Sequence, residues 1–275
     1  MAEVTGFMRH VRACNTAVLP GERLPFLLSG APVGWVRIGL ADALLAFPDV
    51  SRDAAGVNLA RPAALPGIAK ALADRGLFRW RREAFDVHAV SGGPVLSQID
   101  RGAIPSFGIE ATGVHINGLV ETADGLHLWV ARRAADKLLD PGKLDHIVAG
   151  GVPAGYGLME TIVKESGEEA SIPPALAAMA RPTGEIRYAM ERPEGLRRDH
   201  LYCYDLTLPP DFVPVVHDGE VESFERWPIR RVFETVRDTG AFKFNVNLVL
   251  IDLFIRLGMI TGDDAAALRA GLTRT

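Results

Sequence analysis

The chain of 275 residues has only two cysteines, Cys14 and Cys203, far apart and in no CxxC pair. That excludes a disulfide framework, argues against a zinc cluster and points to a reducing cytoplasm. A basic excess is also missing. The net charge is −4, whereas a dedicated nucleic-acid binder draws most of its affinity from Lys and Arg on phosphates. No nucleic-acid partner is expected. Long apolar runs are absent too: the most apolar stretch, Val246 to Ile255, contains Asp252 and is too short to span a bilayer. The first twelve residues carry early charges and no apolar core, so they do not read as a signal peptide. No membrane partner is expected. The seven histidines show no HxxxH or HxH spacing, and the chain has no internal repeat.

What is present describes a packed protein. Hydrophobic residues make up 48% and charged residues 23%, enough apolar surface to offset the entropy of folding. The length favours two parts over one. A Gly-, Pro- and Ser-rich stretch over 91–106 sets the boundary, giving a smaller α+β domain over 1–105 and a second domain over 106–275. The parts differ in charge. Up to residue 115 there are 12 basic and 10 acidic residues, and beyond it 18 and 24. The second part therefore carries the acidic chemistry.

Residues 1–30 read as an irregular arm or short helix, Gly34–Arg37 as a strand, Leu40–Phe47 and Pro62–Leu77 as helices, and Phe78–His88 as one or two strands. In the second part, Gly113–Glu121 and Leu126–Arg132 alternate around Asp124-Gly125, a hairpin signal. His146–Ala149, Arg187–Met190, Leu201–Leu206 and Val221–Trp227 read as strands. Helices are expected over 158–170, 229–238, 244–257 and 263–271. Strands and helices interleave without a βαβ rhythm, so an α/β fold with a mixed sheet and helices packed on it fits.

The segment Gly150 to Ile172, GGVPAGYGLMETIVKESGEEASI, carries the chemistry. At about 100° per residue, Glu165, Glu168 and Glu169 share one helix face beside an apolar one. Like charges at this spacing repel, by a few tenths of a kcal/mol per pair. A hard dication with oxygen ligands relieves that repulsion, and Mg²⁺ suits a few carboxylates together with substrate phosphates. The glycine loop before the helix lets backbone approach a ligand closely and can add a carbonyl ligand. These parts describe metal-assisted attack by water on a phosphate-bearing substrate.

This segment resembles a Nudix (MutT-like) box, G-x5-E-x7-R-E-U-x-E-E-x-G-U with U aliphatic. Gly150 falls at the first glycine, Glu165, Glu168 and Glu169 at the metal-binding glutamates, and Ile172 at the last aliphatic position. Sliding the loop by one places Gly151 first. Tyr156 stands at the early Glu, Lys164 at the Arg, Ser166 at the aliphatic residue and Ser171 at the late Gly. Glu160, four residues before Lys164, is expected to pair with it in place of the family's Glu–Arg pair. Asp136-Lys137, Lys143-Leu144-Asp145, Val148-Ala149-Gly150-Gly151, Asp211-Phe212 and Asp218-Gly219-Glu220-Val221 further resemble the Nudix subgroup related to thiamine pyrophosphokinase and to plant chloroplast Nudix proteins. Gly34-Trp35-Val36 and Gly113-Val114-His115 are similar to its N-terminal part.

The resemblance implies a Nudix α/β/α sandwich over 106–275, preceded by the smaller α+β domain. It implies hydrolysis of a diphosphate linkage, with thiamine diphosphate or its oxo and oxy forms as substrate and the monophosphate as product. Glu165, Glu168 and Glu169, with Gly150 or Gly151, would hold Mg²⁺ or Mn²⁺, and a homodimer is common in the family. Asp218, Glu220 and Glu222 surround the start of the 221–227 strand; Glu220 or Glu222 could bind metal or transfer the proton, Glu222 being counted with the three glutamates, although a solvated strand edge explains them as well. Arg187, Lys243 and Asn245 are candidate phosphate contacts, the last two by way of a helix N-terminus they could also cap. Trp80 and Arg82 could stack on a heterocycle and hold a phosphate, although a half-buried strand with a basic face explains them as well. Two other readings stay open: a different nucleoside or isoprenoid diphosphate as substrate, and a non-catalytic Nudix module that binds a metabolite.

Overall fold

The computed structural model describes residues 2–273 apart from Leu138 and Asp218. The chain opens with helix α1 (Ala2–Cys14). Val4, Phe7, Met8 and Val11 repeat at helical spacing and face one core, so of the two readings of this segment, irregular arm or short helix, the helix is the one formed. Strands β1 (Arg23–Leu28) and β2 (Ala31–Arg37) form a hairpin, followed by α2 (Ile38–Leu44) and the hairpin β3 (Val50–Asp53) and β4 (Gly56–Leu59). These four strands make one sheet, ordered β2-β1-β4-β3. A short turn of helix at Pro62–Ala64 leads into α3 (Leu65–Asp74), which buries Leu65, Ile68, Ala69 and Leu72. The Phe78–His88 stretch yields one strand, β5 (Ala84–Val87), paired with β6 (Ser97–Asp100). The stretch expected as linker thus holds β6 and a short helix, α4 (Ile104–Phe107). Buried Ile99, Ile104 and Phe107 tie both into the first core, so composition alone overstated the looseness of this segment.

The larger sheet is built from β7 (Glu110–Thr122), β8 (Gly125–Arg133), β9 (Leu144–His146) and β10 (Val148–Gly151), then α5 (Leu158–Ala170) and α6 (Pro174–Ala177), then β11 (Arg181–Arg192), β12 (Gly195–Thr207) and β13 (Val221–Pro228). The order is β11-β12-β7-β8-β13, with β10 on β7 and β9 on β8. The β7–β12 pair is parallel and the others antiparallel, so the sheet is mixed as expected. The Asp124-Gly125 turn closes the β7–β8 hairpin, with Gly125 at φ 118°. The two short strands expected over 187–190 and 201–206 are the middle of one long hairpin.

The chain ends in α7 (Ile229–Asp238), α8 (Val246–Arg256) and α9 (Gly262–Leu272). Alternate side chains of β7 separate the two faces of the sheet. Val114, Ile116 and Val120 pack with Ile162 and Ala170 of α5. Leu119 of β7, with Leu201 and Cys203 of β12, packs with α8 and with Phe7, Val11 and Cys14 of α1. The architecture is an α/β/α sandwich with a second, smaller sheet attached. Helix α1 begins the chain yet packs on α7, α8 and α9, which joins it to the core of the later part. Among the described residues no helix is long and apolar enough to cross a membrane.

Candidate active site

Helix α5 occupies the span the sequence predicts. Ile162 and Ala170 are fully buried under the sheet. Its first turn is closed by Glu160, whose Oε2 accepts the Gly157 N–H at 2.8 Å. Glu160 therefore does not make the expected bond to Lys164. Lys164 instead bridges Glu165 at 2.9 Å and Glu168 at 2.6 Å. Partial burial works against its charge, but these two carboxylates hold the ammonium firmly protonated. At the far end, Ser171 adopts φ 53°, and the N–H groups of Ser171 and Ile172 both reach the Ser166 carbonyl. The family's late glycine thus corresponds to a left-handed cap that serine fills here.

Strand β10 sets the other side of the site. The Ala149 N–H donates to Glu169 Oε2 at 3.0 Å. The Glu165 carboxyl lies against Gly150 so closely that a Cβ there would sit 2.7 Å from its carbon atoms. At Gly151 a Cβ would come within 2.5 Å of the Phe85 ring from the first domain. Both positions need glycine for a close approach rather than for an unusual φ. The Gly150-Gly151 pair, expected in a loop, ends β10, and the loop proper starts at Val152.

Burial raises the Glu165 carboxyl pKa against the pull of Lys164, with Glu168 and Glu220 adding to the rise. Glu169 is buried and raised well above the usual range, opposed by its bond from Ala149 and reinforced by Asp145, Glu165 and Glu220. Of the ammonium groups around these carboxylates, Lys164 alone bonds the helix glutamates among the described residues, and a divalent cation fits the donor set of Glu165, Glu168 and Glu169. Glu220 bonds Lys137, and its charge acts on both Glu165 and Glu169. Glu222 sits exposed at an irregularity of the β13–β8 ladder. Of the two, Glu220 is the carboxylate electrostatically joined to the row. Asp218 lies outside the described residues.

A second polar group lies on the opposite face of β7. His115 and His146 meet Nδ1 to Nδ1 at 2.9 Å, and Asn245 Nδ2 approaches His115 Nε2 at 3.4 Å. Asp145 pairs with Arg133 at 2.8 Å and Lys243 at 3.4 Å. Burial would raise the Asp145 carboxyl, yet the charges of Lys243 and Arg133 hold it well below the usual range. Burial pushes His146 down to about 4 and His115 down in the same direction. Among the described residues, His115, Asp145 and His146 are the one trio of this type whose ligand atoms converge within 4.8 Å. Two cations already neutralise its carboxylate, so its charge does not suit a further dication. Burial lowers the Lys243 pKa, and among the charges acting on this residue are Asp145 and Glu169. Lys243 thus connects the two groups.

The chain is 37% identical to Nudix hydrolase 24, chloroplastic, of Arabidopsis thaliana, over 94% of this chain and 74% of that one. It belongs to the Nudix hydrolase family. It is also 35% identical to Nudix hydrolase 20, chloroplastic, of the same plant, over 97% of this chain and 77% of that one. A family model described as a domain of unknown function, DUF4743, matches residues 6–111. A crystal structure of DR0079 from Deinococcus radiodurans aligns with 70% of this chain and all of its own, at 21% identity and a TM-score of 0.46.

The other candidate residues of this Nudix hydrolase fall in separate places. Asn245 is buried before α8 and makes no side-chain cap, and Lys243 points its ammonium at Asp145. Arg187 lies on β11 beside His200, facing the first domain. Trp80 packs against the first core with Lys70 5.8 Å over its ring, and Arg82 is exposed at φ 63°. Phe85 is the first-domain aromatic that reaches the glycine strand. The sequence reading missed the roles of Phe85, His115, Asp145 and His146. Their contacts join elements far apart in the chain, and no local spacing announces them.

Proposed function

We propose that this Nudix hydrolase cleaves a diphosphate linkage, with thiamine diphosphate or its oxo or oxy forms as substrate and the monophosphate as product. The observation that carries the reaction is the seating of Glu165 and Glu169 against β10, with Glu168 one turn away across Lys164, the one ammonium bonded to these helix glutamates among the described residues. The thiamine assignment rests on the subgroup motifs around Asp136, Lys143 and Asp211. Glu165, Glu168 and Glu169, with Gly150 or Gly151, would hold Mg²⁺ or Mn²⁺, which neutralises diphosphate charge and lowers the pKa of water. Glu169 is anchored by the Ala149 N–H and Glu165 is seated on Gly150, so both carboxylates are positioned before substrate arrives. Glu220 is the carboxylate outside the helix that we assign to proton transfer, in place of Glu222. Lys243 supplies positive charge on the Asp145 side.

Cys14 and Cys203 are buried and unpaired, and burial pushes the Cys14 thiol up to about 12, which suits the reducing cytoplasm proposed for the chain. A homodimer is proposed on the family resemblance alone. The test is monophosphate release, with Mg²⁺ or Mn²⁺, from thiamine diphosphate, oxothiamine diphosphate, ADP-ribose and nucleoside triphosphates, run beside Glu169→Gln. Preferred turnover of a thiamine compound, lost in the variant, is the expected result. Preferred turnover of another diphosphate keeps the reaction and removes the substrate. A folded, metal-loaded wild type without turnover on any of them overturns the proposal.

A further inference from the structure

A chamber of about 640 Å³ opens where the smaller sheet faces the larger one. That volume lies in the range of small-molecule sites. None of Glu165, Glu168, Glu169 or Gly150 lines it. One wall is apolar and comes from β1 and β2, with Leu27, Val33 and the Trp35 indole. The facing wall comes from the large sheet, with Glu110, Arg187 and Arg198. The segment 88–91, after β5, forms the rim.

The cations on this wall lack matching anions. Arg198 donates to the Gly108 carbonyl at 3.1 Å and Arg187 to His200 Nδ1 at 3.2 Å. Neither makes an ion pair within 4.0 Å among the described residues, and the Arg187 Nε is buried with no partner. His200 cannot supply the missing charge. Its Nε2 lies 2.8 Å from the Glu185 carboxylate, which requires a proton on that nitrogen. Its Nδ1 faces the Arg187 donor, the Ser91 hydroxyl at 2.7 Å and the Glu110 carboxylate at 3.9 Å, and an imidazole carries no negative charge to offer a guanidinium. Burial and the Arg187 charge both work against the Arg198 cation, and only Glu110 supports it. Among the lining residues Glu110 is the sole acid against two guanidiniums.

We propose that this chamber is a second ligand site, distinct from the carboxylate row, which takes a small aromatic or heteroaromatic molecule bearing a phosphate monoester. The ring packs on Trp35 and the apolar wall, and the phosphate meets Arg187 and Arg198. Guanidiniums suit this because their planar forks bond phosphate oxygens in pairs. An indole offers a large flat face at low entropic cost. The proposal stands independently of the diphosphate chemistry, because it uses none of the same residues.

Phenyl phosphate is the probe, titrated calorimetrically into the full chain with Mg²⁺ present. It carries the ring and the monoester but no diphosphate bond. One site per chain is expected, with inorganic phosphate and phenol each binding about tenfold or more weaker. Arg198→Gln should weaken phenyl phosphate by about tenfold or more, the worth of a charged hydrogen bond. Ala55→Trp fills the chamber from an exposed turn and should abolish binding, so it decides the matter if Arg198→Gln fails to fold. Glu169→Gln should leave the affinity unchanged. Absence of binding, equal binding of inorganic phosphate, or loss in Glu169→Gln with retention in Ala55→Trp would each overturn the second site.

Discussion

Two groups of ionisable side chains lie on either side of β7, and they differ in what they lack. Glu165, Glu168 and Glu169 of α5 span five positions, and one cation, Lys164, bonds the first two. The buried group of His115, Asp145 and His146 comes from three strand positions and has both Arg133 and Lys243 on its one carboxylate. Convergence of ligand atoms favours the buried trio as a metal site, whereas charge favours the glutamates. The proposed metal site follows charge, because a dication beside the cations Arg133 and Lys243 meets repulsion that its ligands do not offset. The lesson is that a converging donor set is a site only when its charge is unspent.

The largest expected effect breaks the balanced side. Asp145→Asn leaves Arg133 and Lys243 buried without their counter-ion. Unfolding free energy should drop by about 3–5 kcal/mol in denaturant titrations. Adding Lys243→Met to the same chain should return part of that loss, since the two sites are in contact. A loss below about 1 kcal/mol would mean that Asp145 is not the anchor of this network.

Acid tests the same group without mutation. His146 titrates near 4 in the folded chain, below its ordinary 6.5, so it stays neutral while the unfolded chain takes up a proton. Its contribution is complete above pH 6.5 and is lost as pH falls from there toward about 4. The loss amounts to roughly 3 kcal/mol over that window. His115 is shifted in the same direction and steepens the fall. Denaturation midpoints that do not move between pH 7 and pH 5 would contradict a buried neutral pair.

On the unbalanced side the effect falls on turnover. Glu169→Gln removes a charge that burial already disfavours and keeps an oxygen for the Ala149 N–H. Monophosphate release should drop by about 100-fold or more, while the melting temperature holds or rises. Equal losses of activity and stability would place Glu169 in the fold rather than in the reaction.

The contrast also explains what could be read from the sequence. The α5 glutamates were legible because helical spacing alone places Glu165, Glu168 and Glu169 on one face. The mixed sheet and the β7–β8 hairpin followed from alternation and Asp124-Gly125. The buried network was not legible, because His115 and His146 are 31 positions apart and meet only when β9, which carries His146, pairs with β8 beside β7. The place of Arg187, a phosphate candidate in the sequence, was not legible either, because the fold sets it away from the glutamates, in the chamber between the two sheets beside His200. Helix α1 was one of two readings left open for the first thirty residues, and packing decides between them. Gly6 interrupts its helix propensity, yet a Cβ there would lie 2.5 Å from the Arg237 carbonyl, so packing on α7 selects the glycine.

The smallest expected effect concerns Ser171, which closes α5 at φ 53°. A non-glycine residue in the left-handed region costs about 1–2 kcal/mol, and glycine does not carry that cost. Ser171→Gly forfeits the hydroxyl bond to the Val215 carbonyl at 3.2 Å, worth about 1 kcal/mol when well formed and less at an exposed site. The net expectation is a gain of up to about 1 kcal/mol in unfolding free energy. The glutamates lie upstream of the cap, so turnover should stay within about twofold. A stabilised chain with unchanged kcat would show that the departure from the family glycine is a matter of helix termination. A change in kcat without a change in stability would instead tie the cap to the placement of Glu168 and Glu169, and would make the carboxylate row less rigid than its contacts with β10 imply.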